Sequence, residues 1–251
     1  MIKEITIEGI PEINNKKKTV LWSSLSEKEI NTQMNEIFSD NIYKLARRKK
    51  NSVYLDIGAN IGMTAFYFND WAKTIYSIEP SKECFKSLEH NTKDMKNVKV
   101  FNYAIADNTG VMPLFGTDPD SSPQTLKLPP GQQITNVENV QCITIDKFFE
   151  DNKIDHVDVM KIDVEGYEYE ILAGLSFAKV ADKIDFIIGE GHITEDGGIP
   201  EFIPEILKEY GFTTKFTDSK TYTRNLNIYY GNTLKTYSVL INNIFYAERI
   251  K

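Results

Sequence analysis

Cysteine and histidine are scarce in this chain of 251 residues, which contains two cysteines and three histidines. Cys84 and Cys142 lack the short spacing of a metal-binding pair, and two cysteines do not make a disulfide framework. We expect them to lie reduced in the core, one on a helix and one on a strand. This use of cysteine is typical of a cytoplasmic protein.

Basic residues are also in the minority, because 29 Lys and Arg stand against 36 Asp and Glu, for a formal net charge of −7. Proteins that bind nucleic acid along its phosphates normally present a basic surface. The one basic run, Arg47–Lys50, is interpreted as a solvated helix end. We therefore expect no nucleic-acid partner.

Long apolar runs are missing as well. No stretch is long and apolar enough to span a membrane, and Met1–Glu4 do not begin a signal peptide. Hydrophobic residues still make up 41% of the chain, enough for one large core. We expect a protein without a membrane partner; the sequence does not indicate its oligomeric state.

A βαβ unit of a doubly wound α/β sheet is the clearest pattern that is present. Val53–Ile57 is predicted as a buried strand, Gly58–Gly62 as a turn, Met63–Trp71 as a helix and Ile75–Glu79 as a second strand. Ligands of such sheets bind beyond the carboxyl ends of the strands. The unit therefore predicts a ligand crevice beside Gly58–Gly62.

Two carboxylates mark this crevice, Asp56 and Glu79, 23 residues apart. An acid at the second position suits the two hydroxyls of a ribose. The turn lacks the full G-x-G-x-x-G pattern of pyrophosphate binders, and Asp56 would repel a phosphate. S-Adenosylmethionine, a nucleoside with a sulfonium and no phosphate, fits best. A dinucleotide dehydrogenase and a purely structural turn are the alternatives.

Residues 1–50 precede this unit and are predicted as a lead-in that packs on the core, whereas residues 51–251 form the α/β domain. Ser26–Arg48 shows one apolar face at helical spacing, which predicts a helix. Such a helix can cover a ligand crevice, so Tyr43 either edges the site or packs in the core.

The third strand is predicted over Val98–Ile105 and ends at Asp107, which either binds the adenine amine or caps a turn. A loop insertion follows at about residues 108–139. Residues 116–133 are rich in Asp, Ser, Pro and Gly. Such a loop is either a mobile flap over a second substrate or an uninvolved surface loop.

The fourth strand, Val157–Ile162, and the next, in Ile184–His192, end in polar residues on the same edge. Asp163 and Glu165 follow the first, and Glu190 and His192 end the second. Asp163, Glu190 and His192 are candidates to accept a proton from an acceptor hydroxyl. Glu165 alternatively caps the next helix, with Lys161 as its ion-pair partner.

Three motifs together resemble the FkbM-type S-adenosylmethionine-dependent methyltransferases. They are Leu55–Gly62, Ile78–Ser81 and Lys161–Glu168. The resemblance implies a class I methyltransferase domain with a mostly parallel seven-stranded sheet, helices on both faces and an antiparallel last strand near Ile244–Arg249. It also implies O-methylation of a sugar, glycan or natural-product hydroxyl.

Site residues follow from the resemblance together with the pattern above. The expected cofactor-binding residues are Asp56, Gly58, Ala59, Asn60, Gly62, Glu79, Pro80, Asp107 and Asp163. The expected catalytic residues are Asp163, Glu165, Glu190 and His192. The acceptor is expected to be a small molecule or a carbohydrate.

Three alternatives to this function stay open. Asp163, Glu190 and His192 could hold a divalent metal, as in catechol-type O-methyltransferases, although their spacing is not that of a metal motif. An amine methyltransferase of nucleic acids is the second alternative. Enzymes of that class carry N/D-P-P-Y/F after the fourth strand, and this chain has no proline there, which disfavours that function. A non-catalytic nucleoside-binding module is the third.

Overall fold

The computed structural model describes residues 3–8, 18–23, 25–116, 124–127, 134–191, 202–216, 222–230, 233–241 and 243–250. The strands are β1 Lys3–Glu8, β2 Lys18–Ser23, β3 Ser52–Ile57, β4 Ala72–Ile78, β5 Val98–Phe101, β6 Ala104–Ile105, β7 Gly110–Gly116, β8 Gln124–Thr125, β9 Asn136–Ile143, β10 Val159–Ile162, β11 Phe186–Gly191, β12 Phe212–Phe216, β13 Tyr222–Tyr230, β14 Thr233–Ile241 and β15 Asn243–Arg249. The α-helices are α1 Glu27–Met34, α2 Met63–Phe68, α3 Lys82–Thr92, α4 Ile145–Asp151, α5 Glu168–Ala173, α6 Leu175–Ala178 and α7 Phe202–Glu209.

Seven strands form the central sheet in the order β12-β15-β11-β10-β3-β4-β5. Neighbouring strands are parallel except where β15 pairs with β11 and β12 in antiparallel register. The order reverses after β3, so β3 and β10 lie at the switch point where α/β sheets bind ligands. This arrangement confirms the predicted doubly wound fold and its antiparallel last strand.

Side chains of β10 alternate between two apolar clusters, one on each face of the sheet. Val159 packs into one cluster, and Met160 and Ile162 pack into the other. This is the alternation that the sequence predicts for a strand buried on both faces. Lys161 shares a face with Val159 and is buried with it, which requires partners for its charge.

The third strand of the sheet is shorter than predicted, because β5 ends at Phe101 and not at Ile105. The side-chain amide of Asn102 donates to the backbone oxygens of Glu79 and Pro80, and the chain leaves the sheet there. Ala104–Ile105 then pair in parallel with β9 in a separate sheet. One apolar run is thus divided between two sheets, which its composition does not reveal.

That separate sheet occupies much of the predicted loop insertion at residues 108–139. Its order is β6-β9-β7-β8, and β7 and β9 pair over seven residues in antiparallel register. The expectation of a loop was therefore wrong for this part of the insertion. Residues 117–123 and 128–133, most of the predicted flap, lie outside the described residues.

The helix predicted over Ser26–Arg48 is interrupted. α1 continues as a π-helical turn to Ser39, and Asn41 then adopts a left-handed conformation with φ 56°. The Asn41 side-chain oxygen accepts a hydrogen bond from the Tyr67 hydroxyl. This break directs Tyr43 into the molecule, where 2% of its surface is exposed.

The basic run that follows lies at the end of a short 3₁₀ helix, Lys44–Ala46, and Arg48, Lys49 and Lys50 are exposed, which agrees with the predicted solvated helix end. Arg47 lies over the ring of Tyr67 with its guanidinium carbon 3.6 Å from the ring centroid, and it donates to the Tyr67 carbonyl at 2.9 Å. Lys49 pairs with Asp158 at 2.5 Å. The run therefore attaches the lead-in to the α/β core.

Both cysteines are free and buried, as predicted. No helix in the described ranges is both long enough and apolar enough to cross a bilayer.

A capping box fixes the start of α1. The Ser26 hydroxyl accepts from the Glu29 amide at 3.3 Å, and the Glu29 carboxylate accepts from the Ser26 amide at 3.1 Å. We expect Ser26→Ala to lower the free energy of unfolding by about 1 kcal/mol, measured by urea titration. Thr32→Ala, which removes an exposed bond within the helix, is the control; equal effects of the two would contradict the capping role.

Candidate active site

A cavity opens at the carboxyl ends of β3, β4, β10 and β11 and encloses about 1140 Å³, including open solvent at its mouth. Of the predicted site residues, those that line it are Gly58, Ala59, Asn60, Glu79, Pro80, Asp163, Glu165 and Glu190. The lead-in contributes Tyr43 and Glu36, and the separate sheet β6-β9-β7-β8 contributes Gln124. The site thus combines the β-strand edge, the lead-in and the insertion.

The glycine turn is packed too tightly for any side chain at its first position. Gly58 has φ +81°, and a Cβ atom there would lie 1.9 Å from the carbonyl oxygen of Asp163. The amides of Gly58 and Ala59 both donate to the Ile78 carbonyl at 3.0 Å. The turn is therefore held against the ends of β4 and β10, with its surface open to the cavity.

Glu79 is held by two backbone amides at the end of β4. Its Oε2 accepts from the Asn60 amide at 2.8 Å, and its Oε1 accepts from the Ser81 amide at 2.9 Å. Burial raises the pKa of Glu79 to about 7, although both hydrogen bonds oppose the shift. Each carboxylate oxygen can accept a second hydrogen bond, so Glu79 can also receive two hydroxyls from a ligand.

Lys161 joins three groups beneath the cavity. Its ammonium donates to the Gly58 carbonyl at 2.6 Å and lies 3.4 Å from Asp56 Oδ1 and 3.5 Å from Asp163 Oδ2. Burial lowers the pKa of Lys161, but its two acidic neighbours outweigh that effect and raise the pKa overall. The ammonium therefore stays charged and fixes both acids relative to the turn.

Asp163 faces the cavity from the end of β10. The Tyr43 hydroxyl donates to its Oδ2 at 3.4 Å, and Lys161 contacts the same oxygen. Among the described residues both contacts fall on Oδ2, which leaves Oδ1 to accept a hydrogen bond from a ligand. A carboxylate oriented in this way is suited to take a proton from a hydroxyl.

Three predicted cofactor residues do not line the cavity. Asp56 is 1% exposed and accepts from the Thr64 hydroxyl, so it supports the turn from below. Gly62 has φ +93° and packs against Leu88. Asp107 lies between β6 and β7, where it is exposed and accepts from the Tyr167 hydroxyl at 2.8 Å. His192 lies outside the described residues.

Glu168 has a role in the site that sequence reasoning missed. It is 2% exposed, and its Oε1 accepts from the amides of Val164 at 3.0 Å and Gly166 at 3.3 Å. It thereby shapes the turn after β10, in which Glu165 adopts φ 56°. The proposed capping by Glu165 and its pairing with Lys161 were wrong, since Glu168 holds the turn and Lys161 pairs with the two aspartates. An acid in the first turn of α5 was the available signal.

A grouping of metal-ligand type does occur among the described residues, but not at the cavity. His156, Asp158 and Asp185 offer ligand atoms within 4.8 Å of one another. These residues precede β10 and β11, so they lie at the amino ends of these strands, whereas the cavity lies at the carboxyl ends. Asp158 already pairs with Lys49 and accepts from the Val53 amide.

Comparison with known proteins agrees with the resemblance carried by the three motifs. The model of the methyltransferase FkbM domain matches residues 56–214. The hexuronic acid methyltransferase AglP of Haloferax volcanii is 26% identical over 174 residues, which cover 69% of this chain and 68% of that protein. The methyltransferase sdnD of Sordaria araneosa is 25% identical over 226 residues, covering 76% and 85%.

Among solved structures, magnesium protoporphyrin IX methyltransferase (ChlM) from Synechocystis PCC 6803 with bound SAM matches with a TM-score of 0.49 and 10% identity, covering 89% of this chain and 83% of that chain. The domain model spans more than half of the sequence and covers all three motifs apart from Leu55, the first residue of the first motif. The chain therefore belongs to the methyltransferase FkbM domain family.

Proposed function

We propose that this protein transfers a methyl group from S-adenosylmethionine to a hydroxyl of a sugar, glycan or natural product. The observation that carries the proposal is that Glu79 and Asp163 line the same cavity, on either side of the glycine turn. One acid is placed to hold the ribose of a nucleoside. The other is placed to take a proton from an acceptor.

The residues of the cavity fit the proposed cofactor. Glu79 offers two acceptor oxygens to the ribose hydroxyls, and Gly58 and Ala59 line the cavity together with it. The carboxylates of the lining favour a cationic ligand, whereas a pyrophosphate would meet like charge. When bound, S-adenosylmethionine supplies a methyl group on a positively charged sulfur that leaves as a neutral thioether.

The chain itself then has two tasks in the reaction. It must orient the acceptor oxygen toward the methyl group and accept the hydroxyl proton. We assign the proton to Asp163 Oδ1, because Lys161 and Tyr43 hold the other oxygen of that carboxylate. Glu190 lines the same cavity and is the second candidate for this step.

A carbohydrate acceptor is the favoured class because AglP, a relative at 26% identity, is a hexuronic acid methyltransferase. The excess of acidic residues in the chain supports a small acceptor over a nucleic acid.

Binding of the cofactor product S-adenosylhomocysteine should release a proton from Glu79. With a pKa of about 7, this carboxyl is mainly protonated at pH 6, and two ribose hydrogen bonds favour its ionised form. We expect release of close to one proton per ligand at pH 6, measured by calorimetry in buffers of different ionisation enthalpy.

The control is Glu79→Gln, which should release no proton at pH 6 and bind the ligand about tenfold more weakly or worse. Equal proton release by the wild-type protein and the variant would show that Glu79 does not bind the ligand. Failure of the wild-type protein to bind would contradict the proposed function as a whole.

A further inference from the structure

Ser81 occupies the position before α3 at which a serine normally caps a helix. Its backbone is extended, and its carbonyl accepts the first helical hydrogen bond, from the Phe85 amide at 2.8 Å. The hydroxyl of a capping serine also accepts from an amide of the first turn, as that of Ser26 does in α1. The Ser81 side chain makes no such bond. Its hydroxyl is therefore not used to cap α3.

Glu138 of β9 contacts the start of α3 instead. The Lys82 amide donates to both carboxylate oxygens of Glu138 at 3.4 Å, and the Lys82 ammonium lies 3.3 Å from Oε1 of the same carboxylate. Negative charge near a helix N-terminus is favourable. The separate sheet β6-β9-β7-β8 thus supplies this charge from outside the helix, which leaves the Ser81 hydroxyl available for another partner.

The Ser81 hydroxyl is buried without a good partner. Ser81 is 1% exposed, and by distance and angle its Oγ makes no hydrogen bond with any of the described residues. The thiol of the nearby Cys84 is a weak partner, because burial raises its pKa, a shift that Ser81 opposes, and keeps it protonated. A buried hydroxyl that lacks a hydrogen bond is costly. A ligand atom that accepts from it would remove this cost.

Ser81 also lies next to the acid that we assign to the ribose. Its amide donates to Glu79 Oε1 at 2.9 Å, and both residues line the cavity. The lining of the same cavity includes Pro80, Ile105 and Leu114, apolar residues that suit the faces of a base. The hydroxyl thus belongs to the part of the cavity that would hold a nucleoside.

We propose that Ser81 Oγ donates a hydrogen bond to the adenine of the cofactor at N3, the ring nitrogen next to the ribose. This inference rests on the proposed function and adds a residue to the site that binds the nucleoside. Because Ser81 is hydrogen-bonded to Glu79, its hydroxyl lies on the ribose side of the base. N3 of adenine is an acceptor. A hydroxyl that is free of a capping role matches it as a donor.

Ser81→Ala tests this inference by two measurements, the Kd for S-adenosylhomocysteine from calorimetry and the midpoint of urea unfolding. We expect the Kd to rise about threefold to tenfold, the usual contribution of a neutral hydrogen bond, and the midpoint to stay unchanged or to rise. Ser26→Ala, which removes a true cap, should show the reverse pattern, a lower midpoint with an unchanged Kd. Ser87→Ala removes a buried hydroxyl of α3 outside the cavity lining and should also leave the Kd unchanged.

A modified ligand identifies the atom that accepts the hydrogen bond. The 3-deaza analogue of S-adenosylhomocysteine carries C–H in place of N3, and it should bind to the wild-type protein about threefold to tenfold more weakly than the parent ligand. It should bind to the Ser81→Ala variant as well as the parent ligand does, because the two changes remove the same interaction. The 7-deaza analogue is the control and should affect both proteins equally.

Two results would overturn the inference: an unchanged Kd in Ser81→Ala, or an equal loss of affinity for the 3-deaza analogue in both proteins. An unchanged Kd together with a lower urea midpoint would identify Ser81 as a helix cap. Binding of S-adenosylhomocysteine to the wild-type protein is measured first, so that failure of the proposed function, which abolishes this binding, is distinguishable from either result.

Discussion

Asp163→Asn is expected to lower the rate of methyl transfer by about 10²- to 10⁴-fold, the usual contribution of a positioned general base. The amide keeps the shape of the carboxylate but cannot take a proton from the acceptor hydroxyl. Because Glu79 and the glycine turn are untouched, the Kd for S-adenosylhomocysteine should change little. The measurements are kcat from release of S-adenosylhomocysteine and Kd from calorimetry.

Glu190→Gln is the matched comparison, since Glu190 lines the same cavity and is the other candidate base. Loss of turnover in Glu190→Gln with near-normal turnover in Asp163→Asn would identify Glu190 as the general base in place of Asp163. Tyr43→Phe removes the hydroxyl that donates to Asp163 and should cause a smaller loss, about tenfold, by loosening the carboxylate.

Lys161→Met is expected to lower the free energy of unfolding by about 3–5 kcal/mol. Lys161 is buried, and its removal leaves the carboxylate of Asp56, itself 1% exposed, without its cationic neighbour. The Gly58 carbonyl also loses the ammonium that donates to it at 2.6 Å. Urea unfolding at pH 7 measures the change.

The double variant Lys161→Met/Asp56→Asn tests the cause of this loss. If unbalanced buried charge is responsible, removing both charges should cost less than the sum of the two single changes. Lys86→Met, which removes an exposed lysine 3.8 Å from Glu83, should cost less than about 1 kcal/mol. Additive effects of the two buried substitutions would show that the groups do not interact.

The central fold was predictable because its signals are local. Side chains alternate between the two faces of β10, which predicts a strand. From Ser52 onward an apolar strand, a glycine turn and a helix follow one another, and each is determined by residues close to it in sequence. The two-sheet division of residues 98–105 was not predictable, because β6 pairs with β9, about 38 residues further along the chain. The lead-in helix was overextended because its apolar spacing continues past Asn41, where the backbone turns left-handed.

The sequence predicted which site residues lie at the strand ends, but it did not predict which residues they pair with. Glu79 and Asp163 follow from their positions after β4 and β10. The partners of Lys161 could not be predicted, because its ion pair with Asp56 joins residues more than 100 positions apart in the sequence. For Tyr43 the sequence left open whether it edges the site or packs in the core, because its hydrogen bond to Asp163 spans 120 positions and depends on the break in the lead-in helix.

A crystal structure of the protein with S-adenosylhomocysteine tests the central claim most directly. The account predicts that the ligand occupies the cavity at the ends of β3, β4 and β10, with both ribose hydroxyls within hydrogen-bond distance of Glu79 and with its sulfur on the side of Asp163. A ligand bound outside this cavity, or a ribose out of reach of Glu79, would contradict it.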